Sequence, residues 1–165
     1  DLLQKKDDFL EILNLAIQYK IEFTNKDIRE RSKRLFLNFG HTFGHAIESI
    51  QDLSTEEYYR HGEAVSLGMV SALYLSDKLF KSNITQEYLE ILENFHLPIK
   101  LSKKYLKLVK YKNKQDLLNN LISIAFSDKK GAKGELRLIL IKNNKPIIYP
   151  TSDKNLLQYG FEKIL

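Results

Sequence analysis

Two glycines four residues apart, Gly40 and Gly44, stand in a stretch whose apolar spacing predicts a helix reaching about Ile50. Glycine in a helix interior costs about 1 kcal/mol relative to alanine, so a pair at this period requires close approach of another backbone or of a ligand. Each glycine precedes a histidine, in Asn38-Phe39-Gly40-His41-Thr42-Phe43-Gly44-His45-Ala46-Ile47-Glu48. On a helix, that spacing places both imidazoles on one face, a turn apart. A third histidine opens a second segment of the same flavour, His61-Gly62-Glu63-Ala64-Val65-Ser66-Leu67-Gly68-Met69, at the mouth of another apolar helix.

Imidazole is the commonest metal ligand, and zinc takes N and O donors at about 2.0–2.1 Å. Two helices, each carrying a histidine to one crevice, would supply two donors. The chain has no cysteine, so a further donor would be a carboxylate or water, and an open position suits catalytic zinc. A capped or partly buried histidine pair without metal is equally compatible with the spacing alone. No glutamate follows the first histidine as in the metalloprotease helix, and no serine sits in a glycine elbow. His96, beside Leu97-Pro98, is expected to be structural.

Upstream, Glu30, Arg34 and Asn38 recur every fourth residue, and His41 and His45 nearly continue the stripe. A solvated face explains Glu30 and Arg34. Asn38 and the histidines lie among Leu35, Phe36, Leu37 and Phe39, and buried polar groups need partners. A polyhydroxylated anion with a metal would provide them. Asp128-Lys129-Lys130-Gly131 would bring another cation to such a pocket or form a surface turn.

The net charge is +5, from 26 Lys and Arg against 21 Asp and Glu. Its densest part, Lys100 to Lys114 with Tyr105 and Tyr111, has the mix of bases and aromatics that tracks a phosphate backbone. A solvated helix face accounts for it, so no nucleic-acid partner is expected; steering of a small anion is a third option. No apolar run approaches the roughly 20 residues of a membrane span, and no signal-peptide pattern opens the chain. Absence of cysteine fits a reducing cytoplasm. Without an initiator methionine, the chain reads as a fragment or processed product.

The pattern elsewhere is mainly helical, and one domain over residues 1–165 is expected. Helices are predicted over about 2–21, 62–81, 101–111 and 114–126, with another from a Thr85 N-cap to just before His96. Thr24-Asn25-Lys26-Asp27 is read as an interruption. Glu135 to Lys142, the turn Asn143-Asn144 and Pro146 to Tyr149 predict a small hairpin, followed by a closing helix capped by Ser152 or Asp153.

The linked motifs, Leu37 to Glu48 with His61-Gly62-Glu63-Ala64-Val65 and Gly68-Met69, resemble the 3-dehydroquinate synthase family of the sugar-phosphate cyclases. The resemblance runs back through Lys20, Asp27, Glu30 and Arg34 and forward to Asp128-Lys129-Lys130, nearly the whole chain. Ile28 and Ser32 depart from the family's usual glutamate and glycine, and the loop between His45 and His61 is longer. The family implies a helical, metal- and substrate-binding C-terminal domain with a small β-hairpin, preceded by an NAD-binding α/β domain that this chain lacks. It implies His41 and His61 as zinc ligands, with the third ligand, a glutamate, and the NAD site upstream. His45, Lys20 and Arg34 would be catalytic, His45 meeting the substrate phosphate and moving protons. Lys20, Glu30, Arg34, Asn38 and Lys130 (or its neighbour Lys129) would contact substrate.

The implied reaction converts 3-deoxy-arabino-heptulosonate 7-phosphate to 3-dehydroquinate and phosphate in the shikimate pathway, with NAD and zinc or cobalt. A cytoplasmic homodimer acting on a small anionic sugar phosphate is the expected parent enzyme, and the fragment alone is expected to be inactive. Another sugar-phosphate cyclase, a non-catalytic zinc-binding helical module and an RNA binder are the alternatives. The stripe of Lys20, Arg34 and Asn38 favours a carboxylated substrate.

Overall fold

The structure, a computed structural model, describes residues 6–26, 33–51, 59–109, 111–128 and 135–165. It divides into two compact units, Asp1–Asn38 and Phe39–Leu165. The first holds α1, Lys6–Lys26, and a 3-10 segment, Lys33–Asn38. Helix α1 runs through Thr24 and Asn25, which the sequence reads as an interruption. The Thr24 hydroxyl donates back to the carbonyls of Lys20 and Ile21 instead of capping a new helix, the bonding by which threonine stays inside a helix. Most of its large apolar side chains, among them Phe9, Leu13 and Ile17, are exposed.

The second unit holds α2, His41–Ser49, α3, His61–Phe80, α4, Thr85–Asn94, α5, Lys103–Leu108, and α6, Lys114–Asp128. The antiparallel pair β1, Leu136–Lys142, and β2, Lys145–Thr151, and a closing α7, Lys154–Glu162, complete it. The expected mainly helical class with a C-terminal hairpin therefore holds. The core joins Phe43 and Ile47 of α2, Leu67 and Leu75 of α3, Leu118 and Leu121 of α6, and the buried leucines of β1. Phe161 of α7 closes it, edge-on to Phe43 with ring centroids 4.9 Å apart.

The sequence reads the polar stripe from Glu30 to His45 as nearly continuous. It is not one helix, because the backbone turns at Gly40 (φ 80°), in the left-handed region that favours glycine. Arg34 and Asn38 sit on the 3-10 segment, and α2 starts afresh at His41. Thr85 does not cap α4 either. Asp77 of α3 accepts the backbone N–H groups of Ile84 and Thr85 at 3.0 and 3.1 Å. Helix α4 ends in a Schellman arrangement, His96 N–H to Glu93 O and Leu97 N–H to Leu92 O, both 2.9 Å. His96 takes the left-handed position there (φ 56°), as expected of a structural residue. Asp153 caps α7, accepting the Asn155 N–H at 2.8 Å.

In the hairpin, Asn143 and Asn144 both have positive φ, 51° and 55°, the signature of a type I′ turn. A two-residue turn makes Lys142 and Lys145 a hydrogen-bonded pair, so Ile141–Pro146 and Arg137–Pro150 fall at non-hydrogen-bonded positions. That placement lets β2 extend past both prolines, further than the four residues expected. The outward N–H of Ile141 donates to Ser76 Oγ of α3 at 2.9 Å, and Ser82 Oγ donates to the Ile141 carbonyl at 3.0 Å.

Candidate metal centre

Helices α2 and α3 cross backbone to backbone. A Cβ on Gly44 would lie 3.0 Å from Ala64 O and from Val65 Cα, and one on Gly40 would lie 2.6 Å from Met69 N. Of the two reasons anticipated for the glycine pair, close approach of another backbone is the one observed. The crossing sets the first turn of α3 beside the histidine face of α2.

The start of α3 is fixed from both sides. Glu63 accepts the Arg60 N–H at 2.8 Å, a reach-back cap on the first turn. The Gln51 side chain clamps Tyr59, its Oε1 accepting the Tyr59 N–H at 2.8 Å and its Nε2 donating to the Tyr59 carbonyl at 3.2 Å. In the last turn of α2, the buried Tyr105 hydroxyl donates to the Ile47 carbonyl at 2.8 Å. Burial pushes the Tyr105 phenol well above its ordinary value, and the neighbouring phenols Tyr59 and Tyr111 add to the shift.

These restraints bring three imidazoles together. Ring centroids are 5.5 Å apart for His41 and His45, 5.4 Å for His41 and His61, and 5.8 Å for His45 and His61. One nitrogen from each lies within 4.8 Å of the other two. Nitrogens sharing a tetrahedral zinc stand about 3.4 Å apart, so contraction by at most about 1.4 Å brings them to bonding distance. The His61 side chain is 59% exposed, so no packed core stands against such a shift. The donor set, imidazoles without thiolates, suits a borderline divalent metal such as zinc.

Two of the rings already have their Nδ1 engaged. His41 Nδ1 lies 3.3 Å from the Phe39 carbonyl, and His61 Nδ1 lies 3.1 and 3.2 Å from the two Glu48 carboxylate oxygens. A carbonyl and an ionised carboxylate only accept. Each ring therefore donates from Nδ1, the usual arrangement when a histidine binds metal through Nε2. Glu48 carried no role in the sequence reading, although residues 41, 45 and 48 share a helix face (i, i+4, i+7) and that periodicity signals it.

The other predicted site residues distribute as follows. Lys20 is exposed on α1, and Arg34 and Asn38 are half-buried on the 3-10 segment, all in the first unit. Glu30, Lys129 and Lys130 lie outside the described residues.

A family model described as 3-dehydroquinate synthase C-terminal matches residues 1–130. The chain belongs to the 3-dehydroquinate synthase C-terminal family. Its relatives include the 3-dehydroquinate synthase of Thermodesulfovibrio yellowstonii, 33% identical over 84% of this chain and 35% of that protein. The 3-dehydroquinate synthase of Methylacidiphilum infernorum is 32% identical over 100% of this chain and 42% of its own length. The chain thus spans well under half of these synthases. Among solved structures, a 2-deoxy-scyllo-inosose synthase complexed with carbaglucose-6-phosphate, NAD+ and Co2+ shares the fold at TM-score 0.64. Its identity is 24%, over 92% of this chain and 40% of that one.

Proposed function

We propose that this chain is the metal- and substrate-binding part of a 3-dehydroquinate synthase. The parent enzyme converts 3-deoxy-arabino-heptulosonate 7-phosphate to 3-dehydroquinate and phosphate, a lyase-type ring-forming step of the shikimate pathway and so of chorismate and aromatic amino acid biosynthesis. The observation that carries the reading is the convergence of His41, His45 and His61 from two helices, one nitrogen of each within 4.8 Å of the others.

In this reading His41 and His61 hold a divalent cation, zinc or cobalt, through Nε2. A cation so held supplies Lewis acidity that favours ionisation of a substrate hydroxyl. His45, a turn along α2 from His41, takes the substrate phosphate and relays protons, which an imidazole near neutrality does readily. The phosphate and carboxylate of the substrate call for cations that fix its orientation. Lys20, Arg34, Asn38, Glu30 and Lys130 are assigned to substrate on the family motif alone, and NAD to the preceding part of the parent enzyme. The parent is read as a cytoplasmic homodimer; among the described residues, no helix is long and apolar enough to cross a membrane.

The test is turnover of the intact parent enzyme with NAD and zinc or cobalt. Dehydroquinate with stoichiometric phosphate is expected. Cyclisation of a different sugar phosphate, with none of the heptulosonate phosphate, would reassign it to another cyclase. This chain alone is expected to show no turnover, and activity from it would overturn the division of labour.

A further inference from the structure

We infer that Glu48 is a positioning residue for the metal centre, one that sets the tautomer and orientation of His61. The inference rests on the reading of His61 as a metal ligand. Both carboxylate oxygens of Glu48 lie within hydrogen-bond distance of His61 Nδ1, at 3.1 and 3.2 Å. His61 needs such a partner more than His41 does. Its side chain is 59% exposed. His41 is half-buried, and its Nδ1 faces a backbone carbonyl fixed in its own chain. Glu48 reaches His61 from α2, across the glycine-lined crossing, so a single carboxylate ties the two ligand-bearing helices together at the site. An imidazole in water exchanges between tautomers and rotates. A carboxylate on Nδ1 holds the proton there and points the Nε2 lone pair at the cation, which typically changes metal affinity by about 10- to 100-fold.

The experiment has a metal-free arm and a metal arm, both on the parent enzyme. In the first, nitrogen chemical shifts of the His61 ring are read at a pH where imidazole is neutral. The wild type is expected to show the Nδ1-protonated tautomer, and Glu48→Ala to revert toward the Nε2-protonated form that prevails in water. In the second, cobalt affinity is measured by chelator competition. Glu48→Ala is expected to weaken binding about 10- to 100-fold. Glu48→Gln, which retains a side-chain carbonyl acceptor, is expected to recover part of that loss. A wild-type His61 protonated at Nε2, or cobalt affinity within twofold of wild type in Glu48→Ala, would overturn the role of Glu48. A parallel His61→Ala variant separates the two claims. If it also binds cobalt normally, the ligand assignment fails; if it loses cobalt while Glu48→Ala does not, only the positioning role fails.

Discussion

A Cβ placed on Gly68 would lie 2.0 Å from the carbonyl oxygen of Gly40. The neighbouring Gly44 N would be 2.8 Å away, so neither obstacle is a flexible side chain. The crossing of α2 and α3 therefore depends on hydrogen at this position, and the histidine cluster depends on the crossing.

Gly68→Ala is expected to destabilise the protein by about 3 kcal/mol, the upper end of overpacking costs, and to weaken metal binding together with stability. Gly62→Ala is the control. Nothing lies within 4 Å of a Cβ there, and replacing a helical glycine is expected to stabilise by about 0.5–1 kcal/mol. Urea denaturation of the two variants checks the pair, and equal effects would contradict the crossing geometry.

Tyr105→Phe removes the hydroxyl that donates to the Ile47 carbonyl and is expected to cost about 1–2 kcal/mol. Its pH dependence has a definite sign. Burial raises the folded phenol above the unfolded value of 10.0, so the stabilisation is complete below pH about 10 and falls as the unfolded chain ionises above it. Wild-type stability should decline above that pH more steeply than that of Tyr105→Phe, as thermal melts across the alkaline range would read.

Asp77→Ala leaves the N–H groups of Ile84 and Thr85 without their acceptor and is expected to cost about 1–2 kcal/mol. Thr85→Val should be neutral or stabilising, because the buried Thr85 hydroxyl has no hydrogen-bond partner among the described residues. The opposite ranking in chemical denaturation would restore Thr85 as the cap.

Metal removal is expected to lower the melting temperature. A ligand bound only by the folded state contributes about 2.7 kcal/mol at a hundredfold excess over its Kd. EDTA should reverse the gain seen with zinc in the wild type and change nothing in His61→Ala.

Much of this arrangement is legible in the residues, and the exceptions have physical causes. Helices α3 and α6 follow their apolar periodicity, and Asn143-Asn144 announces the hairpin because asparagine tolerates positive φ. The break at Gly40 hides inside a stretch of helical apolar spacing, since glycine serves a helix interior and a left-handed turn alike and only the backbone distinguishes them. Asp77 is equally hidden: a carboxylate late in one helix caps the start of the next, and local spacing credits Thr85, the nearer candidate. The three histidines announce themselves by glycine spacing. That all of them meet depends on the helix crossing, to which Gly68 contributes as much as Gly40 and Gly44. The pairing of Glu48 with His61 joins residues thirteen apart on different helices and is visible only once α2 and α3 are packed.

Cobalt titration of the parent enzyme, followed by visible ligand-field absorption, tests the shared cation most directly. The wild type should develop the bands of one bound ion at stoichiometric metal, with His41→Ala and His61→Ala each losing them while circular dichroism shows the fold intact. Unchanged bands and affinity in both variants would show that these two imidazoles do not share an ion.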